Sequence, residues 1–120
     1  MRNTAPYTPV EQKYKSKKTK IDGHTFPSRM EAKRYLQLKQ LENAGEVDKF
    51  ILQPSFELQP SFKWRGETQR AITYVADFGV WYPDGSVVIE DTKGMETPVF
   101  KIKKKMLHYR YPDVSLKVIH

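Results

Sequence analysis

Residues 70–94 read RAITYVADFGVWYPDGSVVIEDTKG, and their pattern decides the fold. Arg70 to Tyr82 is rich in Ile, Tyr, Val, Phe and Trp, the composition of a long strand. Ser86 to Lys93 reads as a second strand, with the β-branched run Val87, Val88, Ile89. Pro83-Asp84-Gly85 between them is a turn. A three-residue hairpin loop wants Gly in its last, left-handed place, so Gly85 closes the loop and Tyr82 pairs with Ser86. On that register Asp77 lies opposite Asp91, and side chains paired in this way have Cβ atoms about 4.5–5.5 Å apart. Lys93 shares their face by strand alternation, as do Val75, Val87 and Ile89. Glu90 points the other way and is set aside, unless a bulge reverses the parity.

The flanking segments complete an α/β reading. Ser28-Arg29-Met30-Glu31 is a capping-box pattern opening a helix, with Met30, Tyr35, Leu38 and Leu41 as its apolar positions. Asn43-Ala44-Gly45 ends it, with Gly45 as C-cap. Phe50 to Leu52 is a short apolar strand, and Phe56, Leu58 and Phe62 alternate with polar residues. Gln53-Pro54-Ser55-Phe56 recurs as Gln59-Pro60-Ser61-Phe62, an offset that keeps both copies on one strand face; Pro60 suggests an edge strand. Gly66-Glu67 is a turn. Thr97 and Pro98 supply N-cap and N1 of a second helix, running to about Tyr109, with Val99, Ile102, Met106 and Tyr109 as its expected inward stripe. Pro112-Asp113 breaks it before a last strand, Val114 to Ile119. The order helix, three strands, helix, strand predicts a mixed sheet flanked by helices, with a parallel crossover through the second helix.

A chain of 120 residues allows one domain; residues 21–120 are expected to form it, behind a basic flexible arm over 1–20. That arm holds Arg2, Lys13, Lys15, Lys17, Lys18 and Lys20 against Glu11 alone, and the whole chain carries a formal charge of +7. Such clustering suits a polyphosphate partner. Lys101, Lys104, Lys105 and His108 fall on one face of the second helix and are candidate phosphate contacts; a solvated helix face explains them equally well. With no cysteine there is no disulfide scaffold and no cysteine-ligated zinc. The absence of a long apolar run or signal-peptide pattern predicts a cytoplasmic protein without a membrane partner. Trp64, Trp81 and Tyr82 can stack on bases, but strand aromatics more often belong to a core.

Asp77, Asp91 and Lys93 together suit metal-assisted phosphodiester cleavage. Two carboxylates at that spacing repel unless a cation lies between them. A hard divalent cation such as Mg²⁺ takes carboxylate and phosphate oxygens as ligands. A lysine beside them can orient water and stabilise phosphate. An exposed acid pair with Lys93 as ion-pair partner explains the charges but not why all three share one face of otherwise apolar strands. Glu31 has two readings, a capping-box acid or a helix-borne acid reaching the metal.

At these residues the sequence resembles the restriction-endonuclease-like superfamily, whose signature is a carboxylate, a spacer, then Asp or Glu, any residue, Lys. Here that is Asp77, then Asp91-Thr92-Lys93. With Lys15-Ser16-Lys17-Lys18-Thr19, Asp22-Gly23, Phe26, Ser28, Glu31-Ala32, Gln53-Pro54, Ala76-Asp77-Phe78 and Glu90-Asp91-Thr92-Lys93-Gly94, the chain is similar to a family of small phage-encoded proteins of that superfamily. The resemblance implies a restriction-endonuclease-like core and a Mg²⁺-dependent DNA endonuclease, with Mn²⁺ able to substitute and no small-molecule cofactor. It implies Asp77, Asp91 and Lys93 as catalytic core, the Thr92 backbone carbonyl as a metal ligand, and Glu31 as the acid seen in resolvase-like and transposon-end-cleaving relatives. Branched or junction DNA is then a candidate substrate, and the infected bacterial host cell the compartment. The first acid is often preceded by Pro in that superfamily; here it is Ala76. Cutting two strands needs two sites, so a homodimer is expected. A non-catalytic DNA-binding accessory with the same fold and an RNA-directed nuclease stay open as alternatives.

Overall fold

A computed structural model of the protein describes residues 18–120. Lys15, Lys17 and most of the expected arm lie outside these. The chain divides after Gln40 into two compact units, within what was expected to be a single domain over 21–120. Among the described residues no helix is long and apolar enough to cross a membrane.

In the first unit, Thr19 and Lys20 belong to a hairpin rather than to an arm. Strands β1 (Thr19–Ile21) and β2 (His24–Phe26) pair antiparallel through Asp22-Gly23, both at positive φ (52° and 81°). That is the two-residue turn whose twist matches the flanking strands. Asp-Gly is a strong sequence signal for that turn. Helix α1 (Arg29–Asn43) follows, with Ser28 Oγ accepting from the Glu31 N–H at 3.1 Å, one half of the expected capping box. Tyr35 packs its ring 5.0 Å from that of Phe26 and donates its hydroxyl to Asp22 (2.8 Å), while Lys39 reaches the same carboxylate (3.3 Å). These contacts hold the Asp22 carboxyl below its ordinary range, the Tyr35 hydrogen bond foremost.

The second unit opens on the end of that helix. Gly45 at φ 79° donates to Glu42 O and Glu46 donates to Leu41 O, a Schellman closure with Gly45 in the left-handed place. Then come β3 (Lys49–Leu52), β4 (Ser55–Gln59), β5 (Phe62–Trp64), β6 (Glu67–Gln69), β7 (Ile72–Val75), β8 (Phe78–Trp81), β9 (Val87–Thr92), helix α2 (Pro98–Arg110) and β10 (Leu116–Ile119). A four-stranded sheet has the order β10-β9-β8-β3; β9 and β10 are parallel and the other pairs antiparallel. The class is mixed α/β, and the chain order about this sheet is the expected helix, three strands, helix, strand.

The predicted strand from Arg70 to Tyr82 is two strands. β7 pairs with β4 and β8 with β3, in the same antiparallel register, and the ladder kinks between them. Gln53 turns to φ 53°, and Pro54 has no N–H to offer. The kink is bridged by Gln53 N–H to Asp77 O (2.9 Å) and Ala76 N–H to Pro54 O (3.0 Å). The second Gln-Pro copy coincides with the next irregularity, a register shift between Glu57 and Gln59. The two copies therefore do not share an environment: Phe56 packs near Tyr74 and Tyr111, whereas Phe62 is exposed.

Helix α2 starts as expected, with Thr97 Oγ1 accepting from Phe100 N–H. Of its expected inward stripe, Met106 packs against the core and the rest does not. Val99, Ile102 and Tyr109 are 61%, 60% and 91% exposed, while Phe100 and Leu107 are buried. The core of this unit gathers Leu58, Tyr74, Ala76, Ile89, Phe100 and Leu107. Lys103 and Lys104 are half-buried on the inner side.

The hairpin loop is as expected: Tyr82 N–H meets Ser86 O, Gly85 N–H meets Tyr82 O, and Gly85 has φ 90°. A Cβ at Gly85 would meet no atom, so a substitution there is penalised through φ alone. Gly85→Ala should lower stability to urea by about 1 kcal/mol. Gly94→Ala, at a position also open but without positive φ, should change it by less than about 0.5 kcal/mol; equal effects would contradict the strained turn.

Candidate active site

The expected β8–β9 register holds from Trp81↔Val87 to Phe78↔Glu90 and stops one residue short of Asp77. Asp77 is therefore not a strand partner of Asp91; it sits in the kink. In a continuing ladder the Thr92 N–H would meet the Ala76 carbonyl. Because the chain turns at Ala76-Asp77, the Asp77 carboxylate takes its place: Oδ2 accepts from the Thr92 N–H and from the Thr92 hydroxyl, each at 2.7 Å. Asp77 itself donates its backbone N–H to Glu90 O (3.0 Å). One carboxylate thus closes a broken ladder and is held in place by doing so.

Asp91 is 2% exposed. Its Oδ2 accepts from the Tyr74 hydroxyl (2.5 Å) and lies 3.4 Å from Lys93 Nζ. The Lys93 ammonium sits 4.6 Å from the centre of the Phe100 ring, which restricts where it can point. Burial pushes the Asp91 carboxyl up to about 6; the Tyr74 hydrogen bond opposes this, the Asp77 charge adds to it, and Lys93 subtracts. Tyr74 is pushed upward too, first by burial and then by Asp91, so its hydroxyl stays a donor. On each aspartate these bonds fall on Oδ2, and Oδ1 takes none of them; the two carboxylates lie close enough that a protonated Asp91 hydrogen-bonds to Asp77.

Asp77, Asp91 and Lys93 are thus brought together by the kink and by β9. Thr92 meets Asp77 through its N–H and hydroxyl, a role its sequence position did not signal. Glu90 is fully buried within β9. Glu31 is buried in the first turn of α1, in the first unit. Lys101, Lys105 and His108 are exposed along α2 and Lys104 is half-buried; Lys18 is exposed. No group of three or more His, Cys, Asp or Glu with metal-holding geometry occurs among the described residues, so this centre offers two carboxylates. Tyr74 is the residue the sequence concealed. On a straight strand its parity opposes that of Asp77, and only the kink turns it toward Asp91.

A family model matches residues 11–120, nearly the whole chain. The chain belongs to the DUF1064 family. That family is described as one of unknown function, and the match takes in Glu31, Asp77, Asp91 and Lys93. No curated protein and no solved structure matches this DUF1064 chain.

The raised carboxyl carries a sign. Asp91 moves from an ordinary 3.8 to about 6 on folding, so the folded state holds the proton more tightly. The associated stability is fully present below about pH 4 and is lost as pH rises through about 6. Asp91→Asn, which keeps an oxygen for Tyr74 and removes the charge, should raise the melting temperature of EDTA-treated protein at pH 8. The gain should shrink towards zero at pH 4; a pH-independent difference would contradict a buried, repelled carboxylate.

Proposed function

We propose that this chain is a metal-dependent endodeoxyribonuclease of the restriction-endonuclease-like superfamily, hydrolysing DNA phosphodiester bonds at Asp77, Asp91 and Lys93. The observation that carries the reading is a buried carboxylate, Asp91, kept beside a second, Asp77, with Oδ1 of each outside the hydrogen bonds from Tyr74 and Thr92. Crowding two acids costs stability, and a divalent cation is the partner that offsets it. These Oδ1 atoms are hard donors suited to Mg²⁺ or Mn²⁺. When bound, such an ion would supply charge stabilisation at the scissile phosphate.

The residues divide the remaining work. Thr92 fixes the Asp77 carboxylate through two hydrogen bonds, so its Oδ1 has one orientation. Tyr74 does the same for Asp91. Lys93, held against Asp91 and Phe100, presents an ammonium that can orient the attacking water and meet a phosphate oxygen. The Thr92 carbonyl is the proposed further ligand. Lys18, Lys101, Lys104 and Lys105, with Lys15 and Lys17, would bind phosphates without regard to sequence. Cleaving both strands requires a second site, supplied by a homodimer.

Incubation with supercoiled plasmid in Mg²⁺, Mn²⁺ or EDTA tests the reading. Nicked or linear product should form with either metal and not in EDTA. Asp91→Ala should slow it by at least about a hundredfold while retaining DNA binding. Cutting in EDTA, or full activity of the variant, would refute the mechanism. Binding without cutting by the unaltered protein would instead support a non-catalytic accessory.

A further inference from the structure

The far end of the long hairpin is built unlike the rest of the second unit. Among the described residues β5 and β6 pair only with each other. Phe62 and Trp64 stand on one face of β5 at 45% and 55% exposure. Opposite them on the same face are Gln69 and Glu67, so neither ring has an aromatic or aliphatic cross-strand partner. A two-stranded ribbon gains most from apolar pairs across the strands, and here the large rings are spent on solvent instead. Arg65 turns the chain at φ 49° with Gly66 at φ 84°, and its guanidinium lies 4.7 Å from the centre of the Trp64 ring. That contact sets a cation against a ring that remains 55% exposed. Lys63, Arg65 and Arg70 set a positive charge around the tip against Glu67 alone.

Open aromatic faces within a basic rim are the chemistry that takes unpaired nucleobases: rings stack on bases of any sequence, and cations meet the adjoining phosphates. We propose that the tip of this hairpin, through Trp64 and Phe62 with Arg65, binds unpaired or unstacked bases of DNA. The candidate active site lies at the root of the same hairpin, where the ladder kinks at Asp77. The inference rests on the nuclease reading for its choice of DNA, and it names the substrate class: duplexes carrying a bubble, branch or gap. A perfect duplex keeps its bases stacked and offers this tip phosphates alone.

The test is equilibrium binding in EDTA, by fluorescence anisotropy, to a labelled duplex and to the same duplex with a central unpaired bubble. The unaltered protein should bind the bubble more tightly. Trp64→Ala should cut that preference by about tenfold, with an unchanged thermal melt. In a Trp81→Phe variant Trp64 is the sole tryptophan, and its emission should be quenched by single-stranded oligothymidine. Equal affinity for both DNAs in the unaltered protein would overturn the inference. So would an undiminished preference in Trp64→Ala, or tighter binding to an RNA bubble than to the DNA one. Because no cleavage is read, the two proposals fail separately: bubble preference through Trp64 without plasmid cutting removes the nuclease reading alone, and plasmid cutting with an indifferent Trp64→Ala removes only this one.

Discussion

An ionised carboxylate taken out of water is among the most costly things a small domain can bury. Asp91 is such a group, and the architecture of the second unit around it is arranged to hold it. β9 carries it into the interior, parallel to β10 on one side and antiparallel to β8 on the other. Tyr74 from β7 reaches it with a hydroxyl, and Lys93 from the end of its own strand reaches it with a charge. Neither compensates fully, because Asp77 adds a second negative charge beside it and the carboxyl stays raised to about 6. A fold selected for stability alone would place a hydrophobic residue there. The incompletely compensated charge is a cost kept at one location, and that pattern is characteristic of sites that bind something.

The kink at Gln53-Pro54 and Ala76-Asp77 is the device that makes this possible. A straight β7–β8 strand would send Tyr74 and Asp77 to opposite faces. Breaking the ladder there releases the Thr92 N–H from its backbone partner, and Asp77 answers it with a side-chain oxygen. The same break turns the remainder of the hairpin into a separate ribbon, β4 to β7, which α2 covers near its root: Tyr111 donates to Glu57 O and Arg110 to Leu58 O. Beyond the register shift at Glu57–Gln59 nothing comparable among the described residues covers β5 and β6, and their aromatics are exposed.

Much of this was legible in residues 70–94, for identifiable reasons. The Pro83-Asp84-Gly85 loop has one good geometry, so the register of β8 and β9 followed from it, as did the α/β order about the sheet. β8 and β9 pair regularly up to Glu90, and the next residue, Asp91, meets Tyr74 and Lys93. What failed were inferences that extended a local rule past an unseen break. Strand alternation carried through Ala76-Asp77 put Asp77 directly across from Asp91 and hid Tyr74. On α2, Val99, Ile102 and Tyr109 have helical spacing as good as that of the residues that pack inward, Met106 among them. Only tertiary packing of Phe100 and Leu107 chooses between them. The Asp22-Gly23 hairpin was available in the sequence and went unread because the basic residues before it suggested an arm.

The central claim is that Asp77 and Asp91 share one divalent cation, and a crystal soaked in Mn²⁺ tests it most directly through the metal's anomalous scattering. The account predicts a single peak between the two carboxylates, within about 2.3 Å of Oδ1 on each, with Thr92 still bound to Asp77. A crystal that shows no peak there, and in which Asp91 keeps only Tyr74 and Lys93 as neighbours, would contradict it.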